Sequence, residues 1–257
     1  MRNASIFRVL PAAGAVLAAA AVAGRLWTRA EGEEPGAAAP PEYRVVRTSD
    51  DIHLEGNPND PAWETAAVAG PFRITGDGAA APLATEVRML YDDDSLYVLF
   101  RCEDPEPWAT KENWDENLWE EEVVEVFLQP DPKVPAYAEF EVNPLGAVMD
   151  TWCPKPGGPV PFDTWNLEGL RAAPRKSGKN EKDKGWTCEI GIPWKGLNGK
   201  GSPDGAAPKP GDRWRIGLYR VEAKPMPMLL AWSPTMGPSF HVPEKFGVLV
   251  FGDKPAK

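Results

Sequence analysis

Short runs in which apolar and polar residues alternate recur along the chain, and they limit the possible folds more than any other feature. The clearest run covers residues 118–128, LWEEEVVEVFL, where three apolar residues fall on one face. The other face carries Glu125 between Val123 and Phe127. A period of two residues is typical of a strand with at least one buried face. The run therefore predicts a strand whose second face carries Glu125 either into solvent or into a concave ligand surface.

Further alternating runs, separated by turn signals, continue to residue 251. Two of them, residues 85–91 and 96–102, are joined by the polar turn Asp92-Asp93-Asp94-Ser95, which is typical of a hairpin. Other predicted strands cover residues 136–143, 147–152, 167–173, 185–192, 213–221, 229–232 and 246–251. No long helix and no repeat of 20–50 residues is visible. About ten short strands predict an all-β fold, an antiparallel β-sandwich of two sheets with a jelly-roll or immunoglobulin-like arrangement.

Composition narrows the class of partner. Hydrophobic residues make up 42% of the 257 residues, enough for a core, and 29 prolines with 24 glycines favour turns over long helices. The formal net charge of −10 disfavours nucleic acid and anionic membrane surfaces as partners. An acidic surface suits neutral polymers or cations.

The N-terminus has the features of an export signal. Arg2 and Arg8 precede an apolar run at residues 9–23 that ends Ala21-Val22-Ala23, which predicts a signal peptide over residues 1–23. The run is short for a membrane span, so no membrane association beyond the export signal is expected. Residues 24–43 are rich in Ala, Pro, Gly and Glu and predict a disordered linker. The folded domain is expected at residues 44–252, with a tail at 253–257, in a secreted or periplasmic protein.

Three cysteines are too few for a disulfide scaffold, and their spacing does not resemble a zinc site. Cys102 and Cys188 share the apolar faces of their predicted strands, so each is interpreted as a small buried residue. A Cys102–Cys188 bridge stays open as an alternative in an exported protein. The state of Cys153 is not predicted.

Five segments, in the same order along the chain, resemble motifs of carbohydrate-binding module family 9. They are residues 55–63, 91–98 (YDDDSLYV), 119–127 (WEEEVVEVF), 185–194 (GWTCEIGIPW) and 240–251. The resemblance extends over residues 45–251. It implies a β-sandwich of two antiparallel sheets and a noncatalytic module, associated with polysaccharide breakdown, that holds a saccharide between two aromatic rings. A glycoside hydrolase-associated or orphan structural domain is an alternative.

The resemblance also implies a ligand site. It places the first ring at Trp119, the second at Phe240, a carboxylate at Glu125 and an amide at Asn143. Sugar C–H faces stack on aromatic rings, while carboxylates and amides hydrogen-bond vicinal hydroxyls. These residue types therefore suit a saccharide or glycan ligand.

Two residues depart from the pattern of well-studied sugar binders. Phe240 stands where those proteins have Trp, and Glu141 stands where they have a basic residue. Both changes argue against the reducing-end glucan specificity of those members. Glu141, and His241 next to Phe240, complete the predicted set of ligand-binding residues.

Family folds also bind structural calcium, so bound Ca²⁺ is an open expectation. Four aspartates in predicted turns could supply oxygen ligands, although no ligand set is assigned: Asp60, Asp92, Asp93 and Asp94.

Two other functions are alternatives to sugar binding. Glycoside hydrolysis would need a carboxylate pair, such as Glu121, Glu122 or Glu125 with Glu141. The chain has no nucleophile motif and no distinguishing acid environment, so no catalytic residue is predicted. In a second alternative, related sandwich folds bind b-type haem through His or Met, here His241 or a methionine such as Met149. Haem is disfavoured, because a lone histidine in a loop is more often a hydrogen-bonded structural residue.

Overall fold

The computed structural model describes residues 39–154, 165–177, 184–197 and 206–253. The predicted signal peptide and most of the predicted linker lie outside these residues. The first strand begins at Glu42, two residues before the expected start of the domain. In the described part of the chain, no helix is long and apolar enough to cross a membrane.

The described residues form an all-β fold, which confirms the predicted class. The twelve strands of this part of the chain are β1 Glu42–Arg47, β2 Arg73–Ile74, β3 Thr85–Tyr91, β4 Ser95–Glu103, β5 Val123–Gln129, β6 Tyr137–Val142, β7 Val148–Cys153, β8 Arg171–Ser177, β9 Gly185–Pro193, β10 Arg213–Glu222, β11 Met228–Ala231 and β12 Gly247–Phe251. The described helical segments are short 3-10 turns, among them Leu118–Glu120 and Pro243–Lys245.

The strands follow one hydrogen-bonded path in the order β7-β6-β5-β10-β12-β1-β3-β4-β9-β8, with β11 beside β10 and β2 beside β11. Strand β1 joins the two halves of this path, which are β7-β6-β5-β10-β12 on one side and β3-β4-β9-β8 on the other. Residues 42–45 pair with β12, whereas Val46 and Arg47 pair with β3. Both pairings are parallel, so the predicted purely antiparallel arrangement is wrong at β1. The remaining strand pairs are antiparallel.

The main core takes side chains from both halves of the path. Val87, Phe100 and Ile190 come from one half, and Val126 and Phe140 come from the other. All five are fully buried. Burying a side chain of this size stabilises a fold by about 1.5–3 kcal/mol. Because both halves pack on this core, every second residue of most predicted strands is apolar.

Strand positions agree well with the sequence patterns, with one clear exception. The hairpin turn between β3 and β4 forms as predicted, with the Asp92 N–H donating to the Ser95 carbonyl at 3.1 Å. The strand predicted at residues 167–173 is instead Arg171–Ser177, so it begins and ends four residues later than predicted. The reason is pairing, because this segment hydrogen-bonds along nearly all of β9. Pairing with β9 therefore extends the strand through the charged residues Arg175 and Lys176.

All three cysteines are buried and unbridged. Cys102 on β4 and Cys188 on β9 lie diagonally on the same face, because Cys102 is opposite Trp186 and Cys188 is opposite Phe100. Burial raises the pKa of the Cys102 thiol to about 12. The two residues are therefore neighbouring core thiols, as their apolar parity predicted, and they form no bridge in this structure.

Candidate functional site

A second buried layer lies on the face of β5, β6 and β10 that points away from the main core. It contains Phe127, Tyr137 and Tyr219 from the strands, with Phe240 and Phe246 from the segment after β11. Glu125 lies on the same face and is 2% exposed. The alternation in β5 thus reflects two buried faces, and Glu125 is not a solvated strand residue.

A cleft of about 390 Å³ opens on this layer. Strands supply its inner residues, the turn Leu118–Glu120 supplies one side, and the loop after β11 supplies the other. Its lining consists of Trp119, Glu125, Glu139, Glu141, Val221, Leu229, Pro238, Ser239, Phe240 and His241. Five of the six predicted site residues thus meet in one place. Asn143 is the sixth and does not line the cleft.

Trp119 forms the more open aromatic side of the cleft. It is half-buried and packs against a small cluster that includes Leu118 and Met149. The turn that carries it is closed by the Glu121 N–H, which donates to the Leu118 carbonyl at 2.9 Å. One part of the indole is therefore anchored to the protein while another part borders the cleft.

Phe240 is much less available than a second stacking platform should be. It is 7% exposed and stacks on Tyr219, with ring centroids 4.2 Å apart and an interplanar angle of 12°. The Tyr219 ring lies over Gly217, where an added Cβ would come within 2.4 Å of it. The glycine thus provides the space for this aromatic pair. Sequence alone could not show that the second ring already has an aromatic partner.

Three buried glutamates form one wall of the cleft. Glu125 on β5 is directly opposite Glu141 on β6, and Glu139 follows on the same face of β6. Carboxylate oxygens of the three lie within 4.8 Å of one another, and the residues are 2%, 1% and 3% exposed respectively. Burial, reinforced by repulsion between the carboxylates, raises the pKa of Glu125 and Glu141 well above the usual range.

His241 and Cys153 meet the same wall through Glu139. The His241 Nδ1 atom lies 2.6 Å from the Tyr137 hydroxyl oxygen and 3.9 Å from Glu139 Oε2. The Cys153 thiol donates to Glu139 Oε2 at 3.3 Å. Burial, with the nearby Glu139 carboxylate, raises the pKa of the Cys153 thiol. Burial also raises the pKa of Glu139, and His241 opposes that shift.

The sequence reading missed Glu139 and Cys153 as site residues. The parity of β6 contained a signal for Glu139, because Glu139 and Glu141 alternate with apolar residues on the opposite face. No comparable signal pointed to Cys153. It reaches the cluster because it is opposite Tyr137, one step along the same face from Glu139.

Asn143 has a structural role in place of the expected ligand contact. It follows the last residue of β6 and is fully buried. Its amide nitrogen donates to the Lys111 carbonyl at 2.9 Å, and its Oδ1 accepts the Leu145 and Ala147 N–H groups, each at 3.0 Å. The amide therefore organises the turn between β6 and β7.

The aspartates considered for calcium take part in local turns. Asp92 Oδ1 accepts the Asp94 and Ser95 N–H groups, and Asp93 pairs with Arg47. Asp60 accepts the Ala62 N–H at 2.9 Å in a different depression, of about 430 Å³. Asp92 and Asp94 border one further depression together, and Asp60 borders a separate one.

Of the carboxylates considered for hydrolysis, Glu125 and Glu141 meet in the cleft, whereas Glu121 and Glu122 do not join them. Glu121 accepts the Thr110 N–H at 2.7 Å, and Glu122 accepts the Trp108 N–H at 2.5 Å. Neither lines the cleft. Met149, named for haem ligation, is fully buried and also outside the lining, whereas His241 is part of it.

The fold is similar to several solved structures. A candidate carbohydrate-binding protein from Bacteroides uniformis ATCC 8492 aligns with a TM-score of 0.68 at 18% identity, over 83% of this chain and 100% of that one. A carbohydrate binding module family 9 from Caldicellulosiruptor kristjanssonii was solved with cellotriose and with glucose. The two structures give TM-scores of 0.61 and 0.58 at 14% and 15% identity, over 83% of this chain and 95% and 98% of theirs. A search among curated proteins returned no match.

The family comparison rests on sequence. The model of the family described as carbohydrate family 9 binding domain-like matches residues 54–254. That range contains every described strand from β2 to β12. The chain therefore belongs to the carbohydrate family 9 binding domain-like family.

Proposed function

We propose that this protein is a noncatalytic module that binds a saccharide in the cleft between Trp119 and His241. The observation that carries the proposal is the placement of a half-exposed indole beside buried carboxyl groups in one cleft. Family membership supports it, as do the related structures that contain cellotriose and glucose. The cleft volume of about 390 Å³ lies within the usual range for small-ligand sites.

The chemistry of the lining suits a sugar ring. The indole of Trp119 offers an apolar face to sugar C–H groups, with a hydrogen-bonding edge nearby. Glu125 and Glu141 offer carboxyl oxygens to hydroxyl groups, and Ser239 and His241 offer further polar groups at the opposite side. Because Phe240 is largely covered by Tyr219, we propose stacking on one principal ring rather than between two.

Finer features of the expected fold and setting belong to the same proposal. They are a β-sandwich of two facing sheets, export directed by residues 1–23, and action in polysaccharide breakdown. The core shared by both halves of the strand path supports the first. Basic residues followed by an apolar run at the N-terminus support the second.

Calorimetric titration with a panel of monosaccharides and oligosaccharides tests the binding proposal. Trp119→Ala should abolish binding while leaving the circular dichroism spectrum unchanged. Trp114→Ala is the matched control, because Trp114 is 48% exposed and lies outside the cleft lining. Equal affinity in the Trp119 variant and the wild type would remove Trp119 from the site. Loss of binding in both variants would point to a different face.

A further inference from the structure

One wall of the cleft brings together three different kinds of metal-ligating atom. Glu139 Oε2 lies 3.3 Å from Cys153 Sγ and 3.9 Å from His241 Nδ1. Ligand atoms of the three residues all lie within 4.8 Å of one another. Atoms bound to one tetrahedral zinc ion lie about 3–4 Å apart, because zinc–ligand distances are about 2.0–2.3 Å. Small side-chain movements would therefore bring these atoms to coordination distance.

A second observation points to a cation at the same wall. Glu141 is 1% exposed, and its Oε2 atom has no hydrogen-bond partner among the described residues. Its carboxylate also lies within 4.8 Å of the carboxylates of Glu125 and Glu139. Buried acceptors are normally satisfied, and buried carboxylates are normally paired or bound to metal. The unpartnered oxygen is an available ligand atom beside the mixed set.

Few positive groups face this wall in the part of the chain that the structure describes. His241 opposes Glu139, and Lys111 acts more distantly on Glu141. The Lys111 ammonium is already bound to Glu120 at 2.6 Å. Protein cations thus leave most of the potential carboxylate charge uncompensated. A divalent ion would balance this charge and satisfy the open oxygen together.

We propose that Glu139, Cys153 and His241 bind one divalent transition-metal ion, with Glu141 as a fourth ligand. Zinc fits this donor set best, because thiolate and imidazole favour Zn²⁺, whereas Ca²⁺ takes oxygen ligands. Coordination would release the Cys153 thiol proton to solvent, and His241 would exchange its Tyr137 contact for the metal. His241 is half-exposed in the cleft lining, so the ion can enter from solvent. The site shares Glu139, Glu141 and His241 with the lining of the proposed saccharide cleft, but it is inferred without reference to saccharide binding.

Cobalt substitution provides the test, with the full chain stripped by chelator and titrated with Co²⁺ alone. We expect one ion per chain, visible d–d bands, and a near-ultraviolet thiolate-to-cobalt band, all lost on addition of Zn²⁺. Cys153→Ser should remove the thiolate band, shift the d–d bands and weaken Co²⁺ binding. Cys102→Ser, at another buried free cysteine, is the matched control and should leave the spectrum unchanged.

A second variant covers the case in which Cys153→Ser fails to fold. His241→Gln, at a half-exposed loop position, should weaken Co²⁺ binding by at least about tenfold, since even outer partners of metal ligands contribute that much. Absence of Co²⁺ and Zn²⁺ binding would overturn the proposal, and so would a thiolate band that persists in Cys153→Ser. Saccharide titration of the metal-free chain separates this result from the proposed function, because sugar binding without metal would survive loss of the ion site.

Discussion

Glu189, in the middle of β9, anchors residues 55–56 and the 3-10 turn Pro61–Thr65, and its substitution should show how much one buried carboxylate contributes. It is fully buried and accepts three hydrogen bonds, each of 2.7 Å. Glu189 Oε2 accepts the backbone N–H groups of Glu55 and Gly56, and Oε1 accepts the Trp63 indole N–H. Two of the three donors are backbone N–H groups, and the third is a buried indole N–H.

The size of the effect follows from these bonds. Glu189→Gln keeps the shape but turns one acceptor oxygen into a donor, which then faces another donor. A hydrogen bond to a charged group contributes about 1.5–3 kcal/mol, and a buried donor left unpaired adds a similar penalty. We therefore expect Glu189→Gln to lower the free energy of unfolding by about 3–6 kcal/mol. Glu189→Ala should cost more, because it also leaves a cavity.

Trp63→Phe provides the matched partner for this test. It removes the indole N–H, so a glutamine amide at position 189 can face the phenyl ring without a donor clash. Urea unfolding of the two single variants and the double variant should show a double-variant cost below the sum of the single costs. Additive costs in this cycle would refute the hydrogen-bond reasoning.

Three further predictions concern the buried acids and the cleft. Burial, with repulsion from neighbouring carboxylates, raises the pKa of Glu122 from 4.5 to about 7 and that of Glu222 from 4.5 to about 8. Each therefore contributes stability that is complete below about pH 4.5 and is lost as pH rises through 7 and 8, by at most about 1.4 kcal/mol per pH unit for each group. Denaturant midpoints measured from pH 5 to 8 should fall in the wild type and fall less steeply in the Glu122→Gln, Glu222→Gln double variant, which keeps the raised pKa values of Glu125 and Glu141, and a rise would contradict this sign. Gly217→Ala should destabilise by about 1–3 kcal/mol in urea unfolding, since its Cβ would meet the Tyr219 ring, and unchanged stability would count against that contact. Phe240→Trp should tighten saccharide binding by up to about tenfold in calorimetry, because the larger ring must extend into the cleft, and equal affinity would argue against stacking there.

Local patterns predicted most of the strands because successive side chains of a strand point to opposite faces, so a strand with one face in the core alternates in polarity. Alternation in β5 correctly separated Val126, in the main core, from Glu125 and Phe127 on the second face. The turn at Asp92 was recognisable because an aspartate side chain readily accepts the N–H group two residues later, as Asp92 Oδ1 does from Asp94. Strand β8 was misplaced because its partner β9, rather than its own composition, determines where it pairs.

The candidate site was predicted only where it lies on a recognisable motif. Trp119 and Glu125 belong to one motif, and Phe240 opens another, so all three were named from the sequence. Asn143 matched a pattern but serves a turn, because its position just after β6 places both ends of its amide against backbone groups. Cys153 matched nothing, since its role depends on which strand lies beside it.

The sequence by itself determined the all-β class, the inner face of most strands and the family, because these depend on periodicity and on motifs contiguous in the chain. The tertiary structure alone decided that β1 joins two halves in parallel and that Phe240 stacks on Tyr219. It also decided that Glu139 meets Cys153 and His241. These outcomes depend on cross-strand register and loop packing, which bring distant residues within a few ångströms and leave no trace in local spacing.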